Sequence, residues 1–259
     1  MELRGAVVMV TGGSGGIGAA LARRAAAEGA AGVAVADLDG ERAEALASEL
    51  GVPALGLRLD VTDRAACVEA VRRAESALGA VDLLCANAGV ALGQDLADDD
   101  LQWEYSWQVN VLGVLHAVRA VLPGMRERGR GHLLVTASAA GLLTNLDSAP
   151  YTVTKHGAVA LAEWLAITHG DEGIGVSCLC PQAVDTAMIA TEGVGSATLA
   201  AGVTLPPEAV ADAVVEALRE ERFLVLPHPE VAERVVHRAT DRDRWLRGMR
   251  RWRRQLRGG

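Results

Sequence analysis

The sequence predicts a doubly wound α/β fold, one parallel sheet of about seven strands with helices on both faces. Three observations carry this. Short apolar runs recur without polar alternation, as strands buried on both faces require. The first three are each followed by a helix-length, mostly Ala-rich stretch stopped by a glycine, at Gly29, Gly51 and Gly79. The first strand-to-helix junction, Thr11 to Gly18, is a glycine-rich turn.

The elements follow in order. Val7 to Val10 reads as a buried strand and Ile17 to Glu28 as a helix. Strands at 32–36 and 54–59 precede helices at 40–50 and 63–78, and a fourth strand spans 81–85. One long helical stretch covers about 101–128, with Asp98-Asp99-Asp100 as its dipole-favoured start. A fifth strand spans 132–136. Ser148 and Pro150 open a helix over 151–168. A sixth strand at 174–179, a helix at 207–219 and a seventh strand at 223–226 complete the alternation. Right-handed crossovers make this a single Rossmann-type domain over residues 1–241, with a separate tail over 242–259. Residues 185–205, rich in Gly, Thr and Ala, read as a mobile segment near the site.

Composition excludes several classes. The chain has 259 residues, 50% hydrophobic and 22% charged, with net charge −8. It is too apolar for disorder, and four cysteines are too few for a disulfide scaffold of this length. Its acidic balance argues against nucleic-acid binding. No apolar run reaches the ~20 residues of a membrane span. Met1 to Gly5 lacks signal-peptide architecture, so the expected location is cytoplasmic and no membrane partner is expected. Cys178 and Cys180 alternate along a strand as buried thiols, and the six histidines show no metal-ligand spacing, so no metal is expected.

Lys occurs once, at Lys155, among 25 basic residues, and Tyr only at Tyr105 and Tyr151. Tyr151 and Lys155 stand i, i+4 on one helix face. A phenol is a poor base at neutral pH, but a neighbouring ammonium stabilises its phenolate and lowers its pKa. Such a tyrosine can take a proton from an alcohol or return one to a carbonyl. Ser138, 13 residues upstream and just past the fifth strand, can point its hydroxyl at the same oxygen. In the glycine-rich turn, missing side chains let backbone approach a pyrophosphate at a helix N-terminus. Asp37, 19 residues after Gly18 at the end of the second strand, suits a ribose 2′-hydroxyl. Its carboxylate repels a 2′-phosphate, and no Arg in the glycine loop or at position 38 neutralises one, which points to NAD over NADP.

Thr11-Gly12-x-x-x-Gly16-x-Gly18, Asp60-Val61, Asn87-Ala88-Gly89, Asn110, Ser138 and Tyr151-x-x-x-Lys155 occur together in this order. This set resembles the short-chain dehydrogenase/reductase family over about residues 3–226. The resemblance implies an NAD(P)-dependent oxidoreductase with Tyr151 as catalytic acid/base. Lys155 would lower its pKa and hold the nicotinamide ribose, Ser138 would orient the reacting oxygen, and Asn110 would hold a water linking Lys155 to solvent. Cofactor contacts would come from Thr11, Gly12, Ser14, Gly16, Ile17, Gly18, Asp37, Leu38, Asp60, Val61, Asn87, Ala88 and Gly89. Tyr151, Lys155, Pro181, Val184 and Thr186 would complete them. The substrate pocket would be lined by Ser138, Ala140, Leu142, Asn145, Gln182 and Met188, with Leu143 and Leu146 adding to its apolar character. Two departures stand out. Ala86-Asn87-Ala88-Gly89 replaces the family's Asn-Asn-Ala-Gly, and Pro181-Gln182 replaces its Pro-Gly, setting a long amide beside the nicotinamide position.

The leading expectation is an NAD-dependent dehydrogenase of a largely apolar secondary alcohol, or reductase of the matching ketone. A second is an NADH-dependent reductase of a 3-oxoacyl or polyketide intermediate, which a basic patch beside the pocket would favour, and none is obvious in the sequence. A third is a non-catalytic dinucleotide sensor or scaffold, which the intact catalytic set opposes. The family commonly forms tetramers through the helices that here span 101–128 and 151–168, so a homotetramer is expected, with a dimer as the alternative. The tail over 242–259 holds eight Arg and one Asp. Trp245, Met249, Trp252 and Leu256 form one helical stripe within it. A basic amphipathic helix suits an anionic membrane or nucleic acid. The acidic body and the two indoles favour docking on the protein or a neighbouring subunit near residues 185–205, where it would close the pocket.

Overall fold

A computed structural model describes residues 1–92, 99–188, 199, 202–256 and 258. Seven strands form one parallel sheet in the order β3-β2-β1-β4-β5-β6-β7. They are β1 Val7–Thr11, β2 Gly32–Asp37, β3 Ala54–Arg58, β4 Leu83–Ala86, β5 Gly131–Thr136, β6 Ile174–Leu179 and β7 Leu224–Val225. Strand order reverses between β1 and β4, opening a crevice at the carboxyl ends of the strands, where ligands of such sheets bind.

Both faces of the sheet are buried. Val7 and Met9 of β1 pack into one core layer with the helices α3 (Arg64–Leu78), α5 (Val114–Arg128) and α7 (Ala149–His169). Val8 and Val10 pack into the other, with α1 (Gly16–Ala27), α2 (Gly40–Glu49) and α8 (Pro207–Arg219). This two-sided burial is why the strands read as unbroken apolar runs; each buried Val or Leu contributes about 1.5–3 kcal/mol. Between β5 and β6, Gly175 pairs with His132. A Cβ at Gly175 would overlap the His132 ring, so the glycine makes room for a buried imidazole.

The stretch expected as one helix over 101–128 is divided. Helix α4 (Asp100–Trp107), capped by Asp99, runs into a π-helical turn, Gln108–Gly113, before α5. Such wide turns often sit at functional sites. This one carries the fully buried Asn110 and Gly113, whose missing Cβ leaves room for Val61. Helix α6 (Ala139–Leu142) is too short to show a period in sequence. Helices α9 (Glu230–Thr240) and α10 (Arg242–Leu256) follow β7.

The four cysteines are free and buried, with Cys178 and Cys180 sulfurs 3.7 Å apart. Among the described residues no His, Cys, Asp and Glu group could hold a metal ion, and no helix is long and apolar enough to cross a membrane. Much of the 185–205 segment read as mobile lies outside the described residues, as does Asp98.

Candidate active site

The loop after β1 is stitched to the loop after β4. The Thr11 hydroxyl accepts the Asn87 and Ala88 N–H groups at 3.1 and 3.2 Å, and Asn87 Nδ2 donates to the Gly12 carbonyl at 3.0 Å. Gly12 has φ +60°, and a Cβ there would lie 2.8 Å from Ala88 Cα. A Cβ at Gly18 would strike the Gly12 carbonyl and lie 2.7 Å from Asn87 Nδ2. Helix α1 therefore begins hard against the sheet. Its N-cap is Gly15, and no side chain caps it, whereas α2, α3, α4, α6 and α7 each start with an Asp or Ser that does. The α1 N-terminus is left with open N–H donors at the positive end of its dipole, as a pyrophosphate requires.

That N-terminus opens into a cavity of about 910 Å³ along the strand ends. One side is formed by Gly12, Ser14, Gly16 and Ile17, by Asp37 and Leu38 after β2, and by Asp60 and Val61 after β3. Asn87, Ala88 and Gly89 after β4 continue the wall. Beyond them lie Ser138, Ala140 and Asn145 after β5, and Pro181, Gln182, Val184, Thr186 and Met188 after β6. An extended two-lobed ligand fits these residues: uncapped helix donors sit at the centre, carboxylates at one end and a hydroxyl-bearing wall at the other.

At the carboxylate end, Asp37 accepts the Ser14 N–H at 3.0 Å and the Asp39 N–H at 3.2 Å. Arg42 reaches the same rim from α2, donating to the Ser14 carbonyl at 3.3 Å. The glycine loop and position 38 carry no cation, but the fold delivers one from the following helix. Only its place in the first turn of α2, behind the Asp39 cap, hinted at this.

At the other end, the Ser148 hydroxyl caps α7 by accepting the Tyr151 N–H at 3.1 Å. Tyr151 and Lys155 then face the cavity on adjacent turns. Lys155 is only 3% exposed; its Nζ donates to the Thr136 carbonyl at 3.0 Å and lies 5.6 Å from the centre of the Tyr151 ring. Burial pushes the ammonium down from 10.5 to about 8. The Tyr151 phenol moves opposite to the expected direction. Burial raises it above its ordinary value and outweighs the Ser138 hydroxyl, which pulls it down. The spacing rule foresaw the charge pair but not the desolvation of its setting.

Four expected residues lie behind the cavity wall. Thr11 and Gly18 act in the packing just described. Asn110 donates from Nδ2 to the Val90 carbonyl at 2.9 Å and to Thr154 Oγ1 at 3.0 Å, and its Oδ1 accepts the Val90 N–H at 2.8 Å. It thereby holds the strand-end segment that passes Lys155. Leu142 is not among the cavity-lining residues: its side chain packs in the cluster of Ala139, Leu143 and Val231 just behind the wall, and its carbonyl accepts from Arg238 at 2.6 Å. The register of the four-residue helix α6, invisible in sequence, turns Leu143 rather than Leu142 to the wall.

Gln182 does face the cavity. Its N–H donates to His228 Nδ1 at 3.1 Å, its Oε1 accepts from Arg234 at 2.7 Å, and its buried Nε2 has no hydrogen-bond partner among the described residues. Arg234, Trp245, Met249 and Trp252 complete the wall. The last three belong to the stripe read from the tail; Arg234 had no signal in sequence.

Comparison with known proteins agrees with this arrangement. A profile described as short chain dehydrogenase matches residues 6–195. The 1-deoxy-11-beta-hydroxypentalenate dehydrogenase of Streptomyces exfoliatus is 35% identical, covering 91% of this chain and 87% of its own. The 2-(S)-hydroxypropyl-CoM dehydrogenase 3 of Xanthobacter autotrophicus is 36% identical, covering 76% and 78%. A short chain dehydrogenase/reductase of Burkholderia phymatum, solved with NAD, superposes with TM-score 0.86 at 31% identity, covering 94% and 96%. Strand order, crevice and sequence thus converge, and the chain belongs to the short chain dehydrogenase family of oxidoreductases, which bind a nicotinamide dinucleotide.

Proposed function

We propose that the protein is an NAD-dependent dehydrogenase that interconverts a largely apolar secondary alcohol and its ketone. The observation that carries this reading is the meeting of Ser138, Tyr151 and Lys155 on one cavity wall beside an uncapped helix N-terminus. The names of the Streptomyces and Xanthobacter relatives, both dehydrogenases of hydroxylated compounds, agree with it.

In this reading the α1 N-terminus takes the pyrophosphate, Asp37 the adenosine ribose, Asp60 and Val61 the adenine, and Val184 and Thr186 the carboxamide end. A nicotinamide held there would accept a hydride from the alcohol carbon, or donate one to the carbonyl carbon in the reverse direction. Ser138 positions the substrate oxygen. Tyr151 Oη takes the hydroxyl proton as the C–O bond becomes a carbonyl, or returns it in reduction. Lys155 offsets the phenolate charge and reaches the ribose, and Asn110 positions the segment beside it. The Asp37 carboxylate favours NAD over NADP by repelling a 2′-phosphate, against the opposing charge of Arg42 at the same rim. Exposed Leu101 and Trp107 of α4 and Val153, Trp164 and Ile167 of α7 suit a homotetramer built on these helices, and the cytoplasm is the compartment proposed, from the sequence alone.

A second reading, reduction of a carrier-bound 3-oxoacyl or polyketide intermediate, is favoured by the seven arginines of α10, which lie on the outer faces of a helix whose apolar stripe lines the cavity, so that an acidic carrier would dock beside the pocket rather than in it. The test is absorbance at 340 nm across secondary alcohols, free ketones and oxoacyl thioesters, with NAD(H) and NADP(H), for the wild type and Tyr151→Phe. The proposal expects turnover of free alcohols or ketones with NAD(H), lost about 10²–10⁴-fold in Tyr151→Phe. Turnover of thioesters alone would transfer support to the second reading. Undiminished activity of Tyr151→Phe would overturn both.

A further inference from the structure

Helix α10 carries seven arginines in fifteen residues. An isolated helix of this length is marginal in water, and like charges weaken it further. Its one apolar stripe is therefore what places it. Trp245, the first residue of the stripe, joins the apolar cluster of Ala139, Leu143 and Val231, and meets the His237 ring edge-on at 5.8 Å. The preceding helix α9 clamps both loops of the site. Arg238 donates to the Leu142 carbonyl, just past Ser138, and Arg234 donates to Gln182 Oε1 after β6. With its start fixed there, α10 presents Trp245, Met249 and Trp252 to the cavity, on the wall shared with Ala140, Leu143, Leu146 and Met188. Leu256, the last residue of the stripe, is 39% exposed and does not line the cavity.

We propose that α10 is the substrate-selecting wall of the pocket, its two indoles and Met249 receiving a bulky, ring-sized apolar part of the alcohol or ketone. The inference rests on the alcohol/ketone reading above and says which members of that class are preferred. Indoles supply large rigid contact areas and the thioether between them adapts to shape, a combination suited to fused or branched hydrocarbon rather than to a short chain. The arginines stay on the faces away from the cavity, so that the helix is held by its stripe and wetted everywhere else.

The experiment uses full-length protein and three variants: Trp252→Ala, Met249→Ala and, as a control for helix integrity, Leu256→Ala. Reduction of propanone, cyclohexanone and 2-decalone is followed with NADH, and NADH affinity is read by fluorescence. In Trp252→Ala the ratio of kcat/KM for 2-decalone to that for propanone falls about 10- to 100-fold, chiefly through KM. Met249→Ala shows a smaller fall in the same ratio, Leu256→Ala none, and NADH affinity stays within about twofold. An equal change for all three ketones, or none, overturns the proposal. Should the wild type turn over none of them, the alcohol/ketone reading fails by itself. The wall is then judged by indole quenching on titrating 2-decalone and propanone into NADH-loaded protein. Selective binding of 2-decalone, lost in Trp252→Ala, sustains the wall, and its absence refutes it.

Discussion

Replacing Lys155 by Met should make the protein less active and no less stable. Lys155 Nζ lies 5.6 Å from the Tyr151 ring. At that separation and an effective dielectric of about 20, ammonium and phenolate attract by about 3 kcal/mol, so removing the charge costs about 100-fold in the proton-transfer step. The stability effect runs the other way. Burial lowers the Lys155 pKa from 10.5 to about 8. Between these values the unfolded chain holds a proton that the folded one does not, so stability rises with pH, and below about 8 the full cost of burying the charge is present. At pH 7 that cost is about 3 kcal/mol. Met relieves it but forfeits the bond to the Thr136 carbonyl, worth about 1 kcal/mol or somewhat more. The expected outcome is a gain of about 1–2 kcal/mol in urea unfolding at pH 7, together with a fall of about 100-fold in kcat at 340 nm. Wild-type turnover would refute the charge argument. A variant destabilised by more than about 1 kcal/mol would refute the desolvation argument.

Three further outcomes are expected. Asp37→Ser with Leu38→Arg removes the carboxylate and adds a phosphate partner next to Arg42, and should shift kcat/KM from NAD towards NADP by at least about tenfold; an unshifted ratio would place Asp37 away from the ribose. Gly18→Ala sets a methyl against the Gly12 carbonyl and Asn87, and should cost about 1–3 kcal/mol of stability and most NADH binding, read by thermal unfolding and fluorescence titration; a variant that binds normally would show that the loop has room to spare. Burial lowers the His132 pKa from 6.5 to about 4. Between those values the unfolded state binds the extra proton, so stability falls as pH drops, by about 2 kcal/mol from pH 7.5 to pH 5. That increment should vanish in His132→Gln under urea denaturation, and an unchanged pH slope in the variant would assign it to other groups.

The amino-acid sequence by itself determined the sheet, the helices that cover it and the identity of its chemical residues. The reason is local: a strand buried on both faces must be apolar throughout, as β1 is from Val7 to Val10, and a helix start needs a cap, as Asp39, Asp63 and Ser148 provide. The Tyr151–Lys155 spacing and the glycines of the first turn were legible for the same reason, since both operate over one or two helical turns. What only the tertiary structure decided depends on groups distant in sequence. Desolvation at Tyr151 and Lys155 comes from the packed surroundings, so the direction of the phenol's shift was not in the i, i+4 rule. Arg42 reaches the Asp37 rim because α2 begins directly after β2, and Leu142 packs behind the wall with Val231 because of the register of one short helical turn. The stripe of Trp245, Met249 and Trp252 was visible as amphipathic, but periodicity states only that a face is apolar. Which surface it meets was settled by α9, whose Arg234 and Arg238 bind the two loops flanking the site and aim the following helix at the cavity.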